Sequence, residues 1–213
     1  MIIAVDGPSA SGKGTLARRL ARHYGLKHLD TGALYRVTGL AVRLAGGDPA
    51  DPVAAEAAAR ALDLSLLEHP DLRTEDAGAA ASKVAAIPAV RAALLQFQRD
   101  FAHEAPGAVL DGRDIGTVVC PEADAKLFVV ARADIRARRR FDELSARGDS
   151  VDYAAVLADI EARDARDSSR AVAPLAPADD ALLLDTSELA IDAAFSEAVR
   201  LIESRIGSRH ARP

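Results

Sequence analysis

An apolar run at the amino terminus ends in a glycine loop that carries a lysine. Ile2-Ile3-Ala4-Val5 leads through Asp6 into Gly7-Pro8-Ser9-Ala10-Ser11-Gly12-Lys13-Gly14-Thr15, and from Lys13 onward Leu16, Leu20 and Ala21 recur at helical spacing. A buried strand, a glycine turn and a helix, in that order, form a mechanism and not only a pattern. The glycines let backbone N–H groups converge on an anion, the helix N-terminus adds partial positive charge, and Lys13 reaches the β- and γ-phosphates of a nucleotide. The competing reading, a glycine-rich turn with no ligand, leaves Lys13 opposing the helix dipole. A bound anion reverses that penalty. The general phosphate-loop pattern places Ser or Thr directly after the lysine, where a hydroxyl meets Mg2+. Here Gly14 intervenes and Thr15 follows, so the literal pattern fails by one residue.

Further along, short apolar runs alternate with helical patterns. Strands are expected at 1–6, 28–30, 109–111, 126–131 and 181–185, and helices at 13–24, 31–44, 133–147, 152–168 and 188–206. Such alternation implies an open α/β fold whose parallel sheet is covered on both faces and whose ligands gather at the carboxyl ends of the strands. Residues 48–104 break the pattern. This Ala-rich stretch has helical pieces at 52–62, 75–84 and 89–103, a possible strand at 63–67, and Pro49, Pro52, Pro70 and Pro88 as punctuation. It is either a helical excursion completing the core or a substrate-side insertion. The tail over 208–213 is expected to be disordered.

Composition removes several classes. A formal charge of −5 argues against a dedicated nucleic-acid binder. The single cysteine, Cys120, has no partner for an intrachain disulfide, and a packing role is expected for it. No apolar run approaches the ~20 residues that span a bilayer, and no basic-then-apolar leader precedes the first strand. The expectation is a soluble cytoplasmic protein with no membrane partner. The five histidines show no metal-ligand spacing. Among 27 basic residues only Lys13, Lys27, Lys83 and Lys126 are lysines. The arginine excess is informative only where arginines sit in motifs.

Two such motifs follow expected strands. Asp30-Thr31-Gly32-Ala33-Leu34-Tyr35-Arg36 follows the second, and Asp111-Gly112-Arg113-Asp114-Ile115-Gly116-Thr117 the third. Each delivers an arginine near a carboxylate at the ligand edge of the sheet, although Asp30 or Thr31 alone could be an N-cap and Arg113–Asp114 a loop ion pair. A third cluster places Arg163, Arg166, Asp167 and Arg170 at i, i+3, i+4, i+7, one face of a helix. It is a solvated charged face or part of a mobile lid held by exchangeable ion pairs. Arg136, Arg139 and Arg140 share another helical face and serve either the donor side or lid ion pairs. A phosphate loop with these motifs suits a phosphotransferase; the absence of Asn-Lys-x-Asp weakens, without removing, a switch-type NTPase.

The phosphate loop, the span from Leu29 to Arg36, the span from Leu110 to Thr117, and the stretch from Arg163 through Ser169-Arg170-Ala171-Val172-Ala173-Pro174-Leu175 together resemble the bacterial cytidylate kinases, members of the nucleoside monophosphate kinase family of P-loop proteins. The resemblance runs over about 2–201. In that family Gly-Lys-Gly-Thr is the usual loop ending. Adenylate kinases share the loop but carry Asp-Gly-Phe-Pro-Arg in place of Asp111-Gly112-Arg113-Asp114; shikimate-type kinases share only the loop and the fold. The resemblance implies one domain over 1–213, with a five-stranded parallel sheet, helices on both faces, an acceptor-binding insertion over 48–104 and a lid over 132–170. It implies transfer of the ATP γ-phosphate to CMP or dCMP by a monomer. ATP would lie on Gly7 through Thr15, with Mg2+ near the Thr15 hydroxyl. Lys13, Arg113, Arg163 and Arg170 would be catalytic. Thr31, Tyr35, Arg36, Arg113 and Arg170 would hold the acceptor's phosphate region, Ser82, Arg91 and Asp114 would read cytosine, and Arg163 and Asp167 would approach the sugar. Longer members carry a small antiparallel sheet in the insertion, for which 64–74 leaves little room. Other acceptors of small-molecule kinases, UMP and shikimate among them, are the alternatives.

Overall fold

The structure, a computed structural model, describes residues 1–210. The chain forms two compact units, one of Met1–His28 with Ala102 onward and one of Leu29–Phe101. Five strands, β1 (Ile2–Asp6), β2 (Lys27–Asp30), β3 (Ala108–Gly112), β4 (Ala125–Val130) and β5 (Leu182–Asp185), lie in the order β2-β3-β1-β4-β5. β1 is therefore central, and every one of its residues is buried. It pairs in parallel with β3, Ile2 opposite Ala108 through Asp6 opposite Gly112, and with β4 on its other side. A continuous Ile-Ile-Ala-Val run suits a strand covered on both faces.

Around this sheet the first unit carries α1 (Lys13–Tyr24), α6 (Ala133–Ala146), α7 (Tyr153–Ser168) and α8 (Ile191–His210). Ile3, Val5, Val109, Leu127, Val129 and Leu184 from the strands meet Leu16, Leu20, Ala198 and Ile202 from α1 and α8. This places the glycine loop at the end of the central strand, where the chain must leave the sheet.

The second unit is helical. It holds α2 (Thr31–Leu44), α3 (Pro52–Arg60), α4 (Glu75–Val84) and most of α5 (Pro88–His103). Asp30, Asp51 and Thr74 cap the first three of these through bonds accepted from Ala33, Val53 and Ala77 N–H groups. α2 and α4 approach so closely that a Cβ at Gly39 would lie 2.9 Å from that of Ala80, which explains small residues at both positions. Leu34, Tyr35, Val42, Val84, Val90 and Leu94 fill the core.

The strands form where expected, with bounds shifted by at most one residue. The possible strand at 63–67 does not form: Leu64–Glu68 is a short 3₁₀ turn. Asp63 accepts from both Ser65 N–H and Ser65 Oγ, closing the backbone into a turn before it can extend. A second such turn, Pro70–Arg73, follows, and no strand forms over 48–104. The last helix begins at Ile191, after a Thr186–Leu189 backbone turn, and runs to His210. Thus the beginning of the expected disordered tail is helical, and 211–213 lie outside the described residues. No single helix among the described residues is long and apolar enough to cross a membrane.

Candidate active site

Gly7 lets the chain turn off β1. A Cβ there would sit 2.1 Å from the Val129 carbonyl oxygen, so no side chain fits. The carbonyls of the loop are then taken up one by one. Lys13, only 9 % exposed, donates from Nζ to the Pro8 carbonyl at 3.2 Å. Arg136 donates to the Ser9 carbonyl at 3.3 Å, and the buried Thr186 hydroxyl lies 3.0 Å from the Ser11 carbonyl. Arg139 braces the same corner, donating to the Thr186 carbonyl at 2.6 Å and its hydroxyl at 3.1 Å. In a trans peptide the following N–H points opposite to the carbonyl. Tying carbonyls back therefore turns amides the other way, as an anion cradle requires. The Ser11 hydroxyl is buried without a hydrogen-bond partner among the described residues.

Three arginines that share a helical face in sequence separate into distinct roles. Arg136 also forms a two-point pair with Asp164 of α7, at 3.1 and 2.6 Å, and so ties the phosphate loop to that helix. Arg139 joins the loop to the segment after β5, while Arg140 pairs with Glu143 on its own helix.

Three carboxylates line the strand ends. Asp6, last in β1, accepts from the Ile115 and Gly116 N–H groups at 2.8 Å each. Burial pushes its pKa from 3.8 up to about 7, aided by Asp114 and opposed by the two N–H groups and Lys13. The folded protein thus binds a proton where the unfolded chain has lost it. Unfolding free energy is expected to fall as pH rises from 3.8 to about 7, and this component of the slope to vanish in Asp6→Asn, as compared by urea midpoints across that range. Asp111 at the end of β3 meets His28 Nε2 at 2.8 Å through Oδ2, while Oδ1 lies 3.6 Å from the Cβ position of Gly14. Asp114, also buried, begins a π-helical turn over Ile115–Val119.

The third cluster assembles around one carboxylate. Asp167, only 1 % exposed, receives Arg113 Nε at 2.8 Å and a charge-assisted bond from Arg170. Burial would raise its pKa, but Arg113, Arg170 and Arg163 outweigh burial and hold it below the usual carboxylate range. The expected common helical face needs correction. α7 ends at Ser168, Arg170 lies beyond its C-cap Ser169, and Arg166 is exposed while Asp167 is buried. Arg170 nevertheless folds back onto Asp167, because a buried carboxylate is a stronger partner than water-facing helix surface. Since α7 carries Asp164 to Arg136 and Asp167 to Arg113, one helix contacts both the phosphate loop's brace and the turn after β3.

The remaining expected residues lie in the second unit. Thr31 starts α2, capped by Asp30, and is buried; Tyr35 and the half-buried Arg36 follow on the same helix. Ser82 is buried on α4. Buried Arg91 of α5 places its guanidinium 5.5 Å from the Tyr35 ring centre and donates to the Ala85 carbonyl at 3.3 Å. Thr15, by contrast, is exposed, with Arg18 3.4 Å from its hydroxyl. Cys120 is buried. Asp6, His28, Asp164 and Thr186 were not singled out by sequence, and Asp111 only as the first residue of its motif. An acid closing an otherwise apolar strand was the available signal for Asp6.

The family model for cytidylate kinase matches residues 3–204. A cytidylate kinase of Methylocella silvestris is 60% identical over 211 residues, spanning 99% of this chain and 98% of that protein. One from Xanthobacter autotrophicus is 59% identical, over 98% of this chain and 100% of that protein. Among solved structures, an uncharacterized protein from Eubacterium ventriosum superposes with a TM-score of 0.56 at 16% identity, covering 96% of this chain and 98% of that one, a likeness of fold alone.

Proposed function

The chain belongs to the cytidylate kinase family and phosphorylates CMP and dCMP with ATP, and from that premise we propose the residues that carry the reaction. What chiefly supports this assignment is α7, which contacts the brace of the phosphate loop through Asp164 and the Arg113–Arg170 pair through Asp167.

Gly7, Pro8, Ser9, Ala10, Ser11, Gly12, Lys13, Gly14 and Thr15 bind the ATP phosphates, the loop amides as donors and Lys13 on the β- and γ-phosphates. An oxygen of the acceptor phosphate attacks the γ-phosphorus in line, and the bond to the β,γ-bridging oxygen breaks as ADP leaves. The acceptor is already anionic, so no general base is assigned. Lys13, Arg113, Arg163 and Arg170 neutralise charge spreading over the transferred group. Arg113 and Arg170 are held ready by Asp167 and share their N–H groups with the incoming phosphate. Thr31, Tyr35 and Arg36 also take the acceptor's phosphate region, Arg163 and Asp167 the sugar.

Mg2+ fits the donor set present: the exposed Thr15 hydroxyl and Asp111 Oδ1, which faces Gly14 while His28 engages the other oxygen, are both hard oxygens. Bound there, Mg2+ would neutralise charge on the β- and γ-phosphates. The span 48–104 serves as acceptor-binding insertion and 132–170 as lid, in a cytoplasmic monomer.

Cytosine offers an N4 amino donor and N3 and O2 acceptors. Asp114 accepts from N4, while Ser82 and Arg91 donate to the ring. UMP carries an acceptor at that position, so its O4 would oppose the buried Asp114 carboxylate, acceptor against acceptor. Asp114→Ala is expected to narrow the CMP-over-UMP ratio of kcat/KM by about tenfold or more. CMP, dCMP, UMP, AMP and shikimate compared with MgATP, following ADP release, provide the measurement. An unchanged ratio would remove Asp114 from base reading.

A further inference from the structure

Asp6 is a buried carboxylate that the reaction described above does not use. It is 5 % exposed, ends the central strand and immediately precedes Gly7, the first residue of the phosphate loop. Its two oxygens are committed to two consecutive backbone amides, Ile115 N–H and Gly116 N–H, each at 2.8 Å. Those are the first amides of the π-helical turn over Ile115–Val119, whose own N-cap, Asp114, makes no side-chain cap bond. The first N–H groups of any helical turn lack intrahelical acceptors and carry partial positive charge. Here a carboxylate from another strand, more than a hundred residues away in sequence, supplies the cap. A Cβ at Gly116 would lie 3.0 Å from the Lys126 side chain and 3.4 Å from Asp6 Oδ2, so the turn packs closely against both.

We infer that Asp6 is a positioning residue for acceptor specificity, a remote cap that fixes the turn bearing Arg113 and Asp114 against the start of the phosphate loop. The inference rests on the reading of Asp114 as the base-reading carboxylate. Its physical content is a shared origin. The residue that sets where the donor's loop begins also sets where the acceptor's selective carboxylate stands, so a lost cap displaces Asp114 without touching the loop's own amides.

The test is Asp6→Asn beside Asp114→Ala, assayed at pH 8. An amide has one acceptor oxygen and one NH2, so it satisfies one of the two N–H groups and opposes the other, donor to donor. The expected result is a rise of about tenfold in KM for CMP, from one charge-assisted bond lost and one donor left unpaired. The CMP-over-UMP ratio should narrow, KM for ATP should stay within about twofold, and the Ile115 and Gly116 amides should exchange hydrogen faster. A merely structural role would instead shift both KM values and kcat together. If Asp114→Ala narrows the ratio while Asp6→Asn leaves the ratio and KM for CMP unchanged, the inference is overturned and the reading of Asp114 stands. If Asp114→Ala itself leaves the ratio unchanged, both fall. Should Asp6→Asn not fold, amide exchange of the unsubstituted enzyme decides: Ile115 and Gly116 as protected as the β3 amides supports the cap, and exchange at open-loop rates overturns it.

Discussion

Lys13→Ala is expected to lower kcat by about three orders of magnitude, the scale of removing one preorganised charge from developing negative oxygen. Lys13 is the sole charged side chain within the loop, largely buried, and rests on the Pro8 carbonyl at 3.2 Å. A triphosphate is a stronger partner for an ammonium than a neutral carbonyl, so bound ATP is expected to draw the side chain off Pro8. CMP affinity should change little, because other residues hold the acceptor. Stability moves the other way. Lys13 opens α1, whose first turn contains no acid, and its charge opposes the helix dipole. Removing it is expected to leave the unfolding free energy equal or higher, by at most about 1 kcal/mol. A variant that folds as well as the parent, binds CMP, yet turns over a thousandfold more slowly separates chemistry from scaffold. Loss of CMP binding, measured by calorimetry, would contradict the assignment of Lys13 to the donor.

The strand–glycine–helix start was legible because each of its parts is local: buried β-branched residues, a turn only glycine permits, and an apolar stripe at helical spacing. The same holds for the cap at Asp30, one of the readings open to that residue from its place before a helix. The strand expected over 63–67 does not form because an apolar run says nothing about whether a neighbouring strand exists, and Asp63 offers a closer partner. Helical spacing grouped Asp167 and Arg170 with Arg163, but their union with Arg113 was not legible. The sequence spacing placed Arg166 with them, whereas the chain leaves the helix after Ser168 and returns Arg170 alone. What no pattern could supply were the contacts made across the sheet. Asp6 on the Ile115 and Gly116 amides, Thr186 and Arg139 behind Ser11, and His28 on Asp111 each join segments far apart in the chain. Such contacts depend on strand order, and strand order is not written in any one segment.

Asp167→Ala is expected to reduce the unfolding free energy by about 3 kcal/mol at pH 7.5, the scale of breaking a buried ion pair by deleting one partner. The carboxylate is buried and lies on two guanidiniums, Arg113 and Arg170, that are themselves 15% and 7% exposed. Without it they face each other with little water. The pH dependence carries the sign. Asp167 holds its proton less tightly in the folded protein than in the unfolded chain, so its contribution is present above the ordinary carboxylate range and lost as pH falls below it. Urea unfolding of enzyme and variant should therefore converge in acid and diverge at neutral pH. CMP supplies a second comparison. Its phosphate is an anion that the same two guanidiniums would accept, so CMP at one fixed concentration should recover more stability in the variant than in the parent. Turnover should still fall, by about ten- to a hundredfold, because two arginines no longer held in place must be oriented by the substrate alone. Equal stability at pH 7.5 would mean that the carboxylate does not hold these arginines. The acceptor's arginines would then be organised by the turn after β3 and the segment beyond α7, not by α7 itself.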